Sequence, residues 1–319
     1  MSSGRPSSKS IVAGLLTIYL VWGSTYLAIR LAVETLPPFF MAGTRFLIAG
    51  LILATYLKLT RKFSVNRAQL MQGAVIGAFL LLGGNGLVCW AEQKVPSGIT
   101  TLVISLNPLF TVIGDWVVFY RSNESNRGSK PTKLIFVGIT LGLVGLILLV
   151  GPAITARDSS QLDATRMLAV VAGCMFWCIG SLMSRYFKEP APPACGAAVQ
   201  MIFGGAWLLG ASLLLGEPSQ FDPKFVSFSS AAAWLYLVVF GSLIGFTTFA
   251  WLMTHVTPAL VSTHAYVNPI VAVFLGWLIL NEAVDSRIFA AAAVIVLGVA
   301  LISISRSRQA SARMISSKA

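Results

Sequence analysis

The residues of this 319-residue chain that could do chemistry are few, and nearly all stand in apolar surroundings. Arg45 lies inside the run Phe39 to Leu57, roughly 9 Å from the start of a helix that rises about 1.5 Å per residue. A guanidinium at such depth costs about 2.5–3.5 kcal/mol on insertion scales, so it is expected to face a cavity or a partner. It either serves an anionic group such as a substrate carboxylate, or snorkels outward, or pairs structurally with Asp115, Glu92 or a carbonyl of a broken helix. Two Asn-Pro pairs, Asn107-Pro108 and Asn268-Pro269, interrupt other apolar runs. Each proline withholds a helical donor and each amide needs a partner away from water, which makes these sequences either packed kinks or the walls of a polar cavity. His264 stands one turn before Asn268, and because histidine as a residue type can titrate near neutral pH, it reads as a proton-coupling group or as a neutral core histidine. Asp115, Glu92 and Glu282 fall near run ends, where a carboxylate can also simply be solvated.

This inventory points to recognition rather than bond making. No nucleophile, base and orienting group share a recognisable spacing, and neither H-E-x-x-H nor a P-loop sequence is present. No cofactor motif is found. Cys89, Cys174, Cys178 and Cys195 all sit in apolar runs. Cys174 and Cys178 share a helix face, but a zinc site needs about four ligands and no His or carboxylate joins them there. Neither a metal nor a disulfide framework is expected.

The elements that must position these residues are membrane helices. The chain is 56% hydrophobic and 11% charged, with a mean hydropathy of +0.81, which excludes an ordinary soluble domain. Runs long enough for a bilayer core about 30 Å thick occur near Ile11 to Ala32, Phe39 to Leu57, Met71 to Ala91, Ser97 to Phe119 and Leu134 to Val150. Five more follow near Met167 to Tyr186, Ala194 to Leu215, Ser230 to Leu252, Pro258 to Leu280 and Ile288 to Ser305. Short connections rich in turn formers join them, so an all-α integral membrane fold of ten transmembrane helices is expected. The first run is too long for a signal peptide and lacks a small-x-small cleavage site. The net charge of +12 does not signal nucleic acid, because the basic residues lie between the apolar runs and form no aromatic-interleaved patch. Sixteen of the 23 Lys and Arg fall on the side of the N-terminus and six opposite, from Arg30 and Lys94 to Arg287, which predicts that both termini are cytoplasmic.

The chain also repeats itself. At an offset of 155, Trp22, Leu27, Arg30, Glu34, Pro37-Pro38, Ala42, Gly50 and Leu53 meet identical residues, from Trp177 to Leu208. At an offset of 161, Trp90, Val95, Asn107-Pro108, Val112 and Trp116 meet Trp251, Val256, Asn268-Pro269, Val273 and Trp277. Each half has an odd number of spans, so the halves must enter the bilayer from opposite sides, as in inverted-repeat transporters with a midplane site. Trp22, Trp177, Asn107 and Asn268 come to one depth, about 15 Å from their span ends. The repeat mate of Arg45 is Gln200, so the fixed charge belongs to one half only.

Trp22-Gly-Ser-Thr-Tyr26, Pro37-Pro38 with Met41-Ala-Gly-Thr-Arg-Phe46, Gly84-Asn-Gly86, Ala91-Glu-Gln93 with Val95-Pro-Ser-Gly98, and Thr257-Pro-Ala-Leu260 leading to Ala265-Tyr-Val-Asn-Pro269 together resemble the EamA family of the drug/metabolite transporter superfamily, closest to its YedA-like branch. The resemblance implies an EamA repeat over 11–152 and another over 165–305, between cytoplasmic tails 1–10 and 306–319, in two inverted five-helix repeats around a central cavity. It implies a multi-pass protein of the bacterial inner membrane that exports amino acids or related metabolites. The expected substrate-binding or cavity residues are Trp22, Tyr26, Arg45, Asn85, Asn107, Trp177, Ser181, Tyr266 and Asn268. Pro108 and Pro269 are the expected helix breaks, and His264, Asp115 and Glu92 the candidates for ion coupling. The partners implied are a small-molecule substrate and the lipid bilayer, with a homodimer left open and no nucleic acid. A membrane channel and an intramembrane enzyme are the competing functions. Two positions depart from the family pattern: repeats often end their fourth helix with Gly-Glu, where this chain has Asn281-Glu282 in one half and Arg121 in the other, and His264 stands where a neutral residue such as Tyr is usual.

Overall fold

The computed structural model describes residues 7–121, 132–155, 163–187, 191–256, 264–282 and 285–316, and among them there is no strand. The helices are α1 (Ser8–Ala32), α2 (Pro38–Leu59), α3 (Arg67–Ala91), α4 (Ser97–Ile104), α5 (Asn107–Arg121), α6 (Lys133–Thr155), α7 (Ala164–Tyr186), α8 (Pro193–Leu214), the one-turn α9 (Glu217–Gln220), α10 (228–255), α11 (His264–Leu280) and α12 (Ser286–Ser316). Seven stretches are long and apolar enough to cross a membrane, namely Ser8–Ala32, Pro38–Leu59, Arg67–Ala91, Ser97–Gly114, Ala164–Ser184, Pro193–Leu214 and Phe228–Phe249. Three more apolar stretches, Lys133–Gly145, Val267–Leu280 and Ser286–Ile302, are shorter. The motif Thr257 to Leu260 and the basic residues Arg5, Arg127, Lys130, Arg157, Lys188 and Lys318 lie outside the described residues.

Polar residues mark where the helices begin. Ser7, Asp163 and Ser227 each accept the amide three residues on, and Asn66 with Gln69 forms a reciprocal capping box before α3. Prolines open α2 and α8, where the missing N–H is an orphan in any case. Over the stretch from 306 onward, read as a cytoplasmic tail, the chain is helical to Ser316. The stretch 306–316 contains no Gly or Pro, and nothing in it stops the helix.

Two irregularities lie inside long helices. Residues Ala78–Gly86 of α3 and Leu237–Ile244 of α10 are wound as π-helix. The fourth apolar run is discontinuous: α4 ends at Ile104, residues Ser105 and Leu106 turn, and α5 restarts at Asn107. Pro269, by contrast, lies within the continuous helix α11.

Small residues hold the bundle together. In hydrocarbon there is no hydrophobic drive between helices, so close backbone approach through Gly and Ala replaces it. A Cβ on Gly50 would stand 2.8 Å from the Ile202 nitrogen, and one on Gly205 would stand 2.6 Å from the Leu47 nitrogen, so α2 and α8 touch backbone to backbone. Gly138 of α6 and Gly298 of α12 meet in the same way, each facing the other's carbonyl. Many large apolar side chains face outward, among them Leu20, Tyr56, Ile147, Leu214, Phe228 and Phe289, as suits a lipid surround, while the buried interior mixes Ala32, Ala42, Ala49, Ala91 and Ala198 with Ile18, Met41, Phe46 and Leu81.

Gly205→Ala should lower the thermal stability of the detergent-solubilised protein by about 1–3 kcal/mol through overpacking. Gly210→Ala, where a Cβ would meet nothing within 4 Å, should leave the melting temperature nearly unchanged. Thermal unfolding of both variants checks this.

Candidate functional site

The helix irregularities converge on one cavity of about 120 Å³, comparable with the roughly 150 Å³ that accept a benzene-sized guest. Of the residues expected there, Trp22, Tyr26, Arg45, Asn85, Asn107, Trp177, His264, Asn268 and Pro269 line it. Ser181 does not belong to its wall, and neither does Glu92. The side chains of Pro108, Asp115 and Tyr266 lie outside the described residues.

Arg45 projects from α2 and is 4% exposed. Its Nη2 donates to Asn85 Oδ1 at 3.2 Å, and its guanidinium carbon lies 4.1 Å from the centre of the Phe46 ring. Nε and Nη1 meet no acceptor among the described residues. Of the alternative partners, Glu92 makes no ion pair with it among the described residues, and the side chain of Asp115 lies outside them. Asn85 owes its position to the π segment of α3, where it also accepts from Cys89 Sγ at 3.3 Å. The extra residue of a π turn re-aims side chains and is frequent at functional sites.

The two asparagines, equivalent in sequence, do different work. Oriented with its nitrogen toward the neighbouring carbonyls, the Asn268 amide donates to Tyr19 O at 3.3 Å and His264 O at 3.1 Å, tying α11 to α1. Asn107 opens α5 directly after the helix break, and its Oδ1 has no donor among the described residues. The nearby hydroxyls of Thr101 and Ser105 are spent on the carbonyls of Ser97 and Leu102, both at 2.7 Å. Arg45 and Asn107 thus line the cavity with buried atoms that have no partner among the described residues, a cationic donor and a neutral acceptor. No carboxylate lines the wall among the described residues.

Aromatic rings make the apolar part. Trp22 Nε1 donates to Gly241 O at 3.4 Å, and the indole packs on Phe246, Phe249 and His264 with ring centres 5.9, 5.1 and 5.2 Å away. Trp177 lies against Gly84, whose Cβ would fall 3.2 Å from the indole. Trp22 lies in the same way against Gly245. Sequence reasoning missed both π segments and the wall residues Gly173, Gly241 and Phe246. A usable signal was present, since Gly84 and Gly245 are themselves paired at the offset of 161. Glu92 is fully buried beside this region; its backbone oxygen accepts from Arg30 Nη1 at 2.5 Å, while neither carboxylate oxygen meets a donor among the described residues.

Comparison with known proteins agrees with this arrangement. The model of the EamA-like transporter family matches residues 9–151 and 165–304. The chain is 35% identical over 297 residues to the uncharacterized inner membrane transporter YedA of Escherichia coli (strain K12), covering 93% of this chain and 91% of that one. It is 26% identical to the uncharacterized transporter YoaV of Bacillus subtilis (strain 168), covering 94% and 98%. A protein of known crystal structure superposes with a TM-score of 0.62 at 21% identity, over 95% of this chain and 99% of its own, which bears on the fold alone.

Asn268→Ala removes the amide that meets two buried carbonyls and should cost about 1–3 kcal/mol of stability. Asn107→Ala deletes an acceptor without a donor and should shift the melting temperature far less. Thermal unfolding of the two variants side by side measures the difference.

Proposed function

The chain belongs to the EamA-like transporter family, and we propose that it is a secondary transporter that exports amino acids or related small metabolites across the bacterial inner membrane by alternating access. The observation that carries this reading is the cavity in which Arg45 Nε and Nη1 and Asn107 Oδ1 keep unused bonding capacity beside Trp22 and Trp177. A carboxylate suits the guanidinium, a neighbouring ammonium suits the amide oxygen, and the indoles accept an apolar side chain.

We read the fold as ten spans in two inverted repeats, with both termini cytoplasmic. The short apolar stretches Lys133–Gly145, Val267–Leu280 and Ser286–Ile302 supply the fifth, ninth and tenth spans in this reading. Contacts that map onto each other under the repeat offsets support it. Gly50 faces Ile202 while Gly205 faces Leu47, and both pairs are related by 155. Trp22 lies on Gly245 while Trp177 lies on Gly84, and Gly180 meets Leu80 while Gly241 meets Thr25. A two-fold relation demands this exchange, with residue i on j and the mate of j on the mate of i. The heaviest packing, α2 on α8 and α6 on α12, also joins mates.

Uptake into inside-out vesicles should saturate with an amino acid substrate and show counterflow; flux without saturation or counterflow would mean a channel. Arg45→Ala should reduce transport at least tenfold at equal abundance, Gln200→Ala much less, and Arg45→Lys should recover only part, because an ammonium lacks the planar fork. Normal transport by Arg45→Ala sinks the assignment of the charge to substrate or gating.

For the orientation, single cysteines placed at Gln220 and Asn66 are the test. An impermeant maleimide should label the Gln220 position in intact cells and the Asn66 position only after permeabilisation. Labelling at Asn66 from outside overturns the topology.

A further inference from the structure

The bundle end reached by Ala32 is tied across the halves by carboxylates, and each sits on a helix N-terminus. Glu217, 7% exposed, accepts from the amides of Phe39 at 3.2 Å and Phe40 at 2.8 Å in the first turn of α2. Glu282 accepts from the Ser97 amide at 2.8 Å, the Ser97 hydroxyl at 3.0 and 3.1 Å, and the Gly98 amide at 3.2 Å at the start of α4. In both cases the carboxylate belongs to 165–305 and the receiving helix to 11–152. A helix N-terminus carries unmet donors and partial positive charge, so an ionised acid is the strongest cap available to it.

Local backbone builds these placements. Gly216 (φ 71) ends α8 and delivers Glu217, and Asn281 (φ 52) ends α11 and delivers Glu282. The Glu282 amide then bonds Gly276 O at 3.1 Å, and the carboxylate passes over Gly276 itself, where a Cβ would fall 2.8 Å from Glu282 Cδ. Cations complete the same layer at the C-terminal end of α3. Arg30 donates to Glu92 O, and Arg166 donates to Trp90 O and, at 2.9 Å, to Gln93 Oε1, with its guanidinium 3.7 Å from the Trp90 ring centre.

The repeat offsets break this pattern at the other end. The mate of Glu217 is Lys62 and the mate of Glu282 is Arg121. Where Glu217 caps α2, the corresponding contact on α8 is the Cys195 thiol donating to Lys62 O at 3.4 Å, between neutral groups. The helix start opposite Arg121 lies outside the described residues, but an arginine cannot supply a carboxylate there.

We propose that Glu217 and Glu282 form the latch of one gate, closing the Ala32 end of the carrier more strongly than their mates close the opposite end. The two-fold exchange that makes the two gates equivalent in shape is thereby biased in energy, and the resting carrier favours the state closed at the Ala32 end. Opening there requires both carboxylates to leave their helix starts. This inference rests on the alternating-access reading above.

The test uses the full chain without its native cysteines, carrying Thr25→Cys as a cavity reporter, in vesicles of either orientation with an impermeant maleimide. Glu217→Gln and Glu282→Gln should each raise the labelling rate from the Ala32 side about tenfold, the loss expected for one charge-assisted bond, and lower it from the other side. Lys62→Glu, at an exposed position, should shift the ratio the opposite way and needs no buried group removed. Reporter rates that all three variants leave unchanged, while substrate still alters labelling from both sides, overturn the latch and spare alternating access. A reporter open to both sides at once in the unaltered chain overturns the carrier reading and the latch with it.

Discussion

A peptide group in hydrocarbon has no water to turn to, and most features of this structure follow from that constraint. Uniformly apolar runs become helices because a helix meets its own amides and carbonyls. Polar side chains within the spans bond to backbone carbonyls of their own or a neighbouring helix. Asn268 meets His264 O and Tyr19 O, Trp22 Nε1 meets Gly241 O inside a π segment, Ser230 Oγ meets Leu31 O at 2.7 Å and Trp207 Nε1 meets Ala74 O at 3.1 Å. Many polar residues of the spans are thus committed to backbone, while Arg45 and Asn107 in the cavity wall, and Glu92, Thr100, Ser212 and Ser242 away from it, keep buried atoms without a partner among the described residues.

The second consequence is that packing is carried by absent side chains. Gly50, Gly205, Gly138 and Gly298 let helix backbones touch, beside a buried apolar cluster that includes Met41, Phe46 and Leu81. Some of these contacts recur in exchanged pairs: Gly50 and Gly205 are mates, as are Gly84 and Gly245, whereas the mates of Gly180 and Gly241 are Thr25 and Leu80.

Specific work falls to the positions that escape the exchange. Arg45 faces Gln200 across the repeat, Asn107 is uncommitted where Asn268 is tied down, and Glu217 and Glu282 face Lys62 and Arg121. A carrier needs matched halves to move between two states of nearly equal shape, and it needs mismatched residues to choose a ligand and a preferred state. On the proposed alternating-access reading, symmetry supplies the motion and its departures supply chemistry and direction.

The sequence by itself determined the helical membrane fold and the course of most of its apolar helices, and it singled out Trp22, Arg45, Asn107, Trp177 and Asn268, which line one cavity. Hydropathy, rise per residue and repeat offset are one-dimensional quantities, and a string of residues contains them. Only the tertiary structure decided which of those residues meet the cavity and in what state. Ser181 shares the register of Tyr26 yet stays off the wall, because rotation of a helix about its axis is set by the neighbours it packs against. Pro108 follows a true break and Pro269 does not, although both follow asparagine, because a proline only weakens the ladder and the surrounding contacts decide whether the chain turns. The π segments and the carboxylate caps from Glu217 and Glu282 join residues up to 185 positions apart, and no local pattern in the chain encodes contacts over that distance.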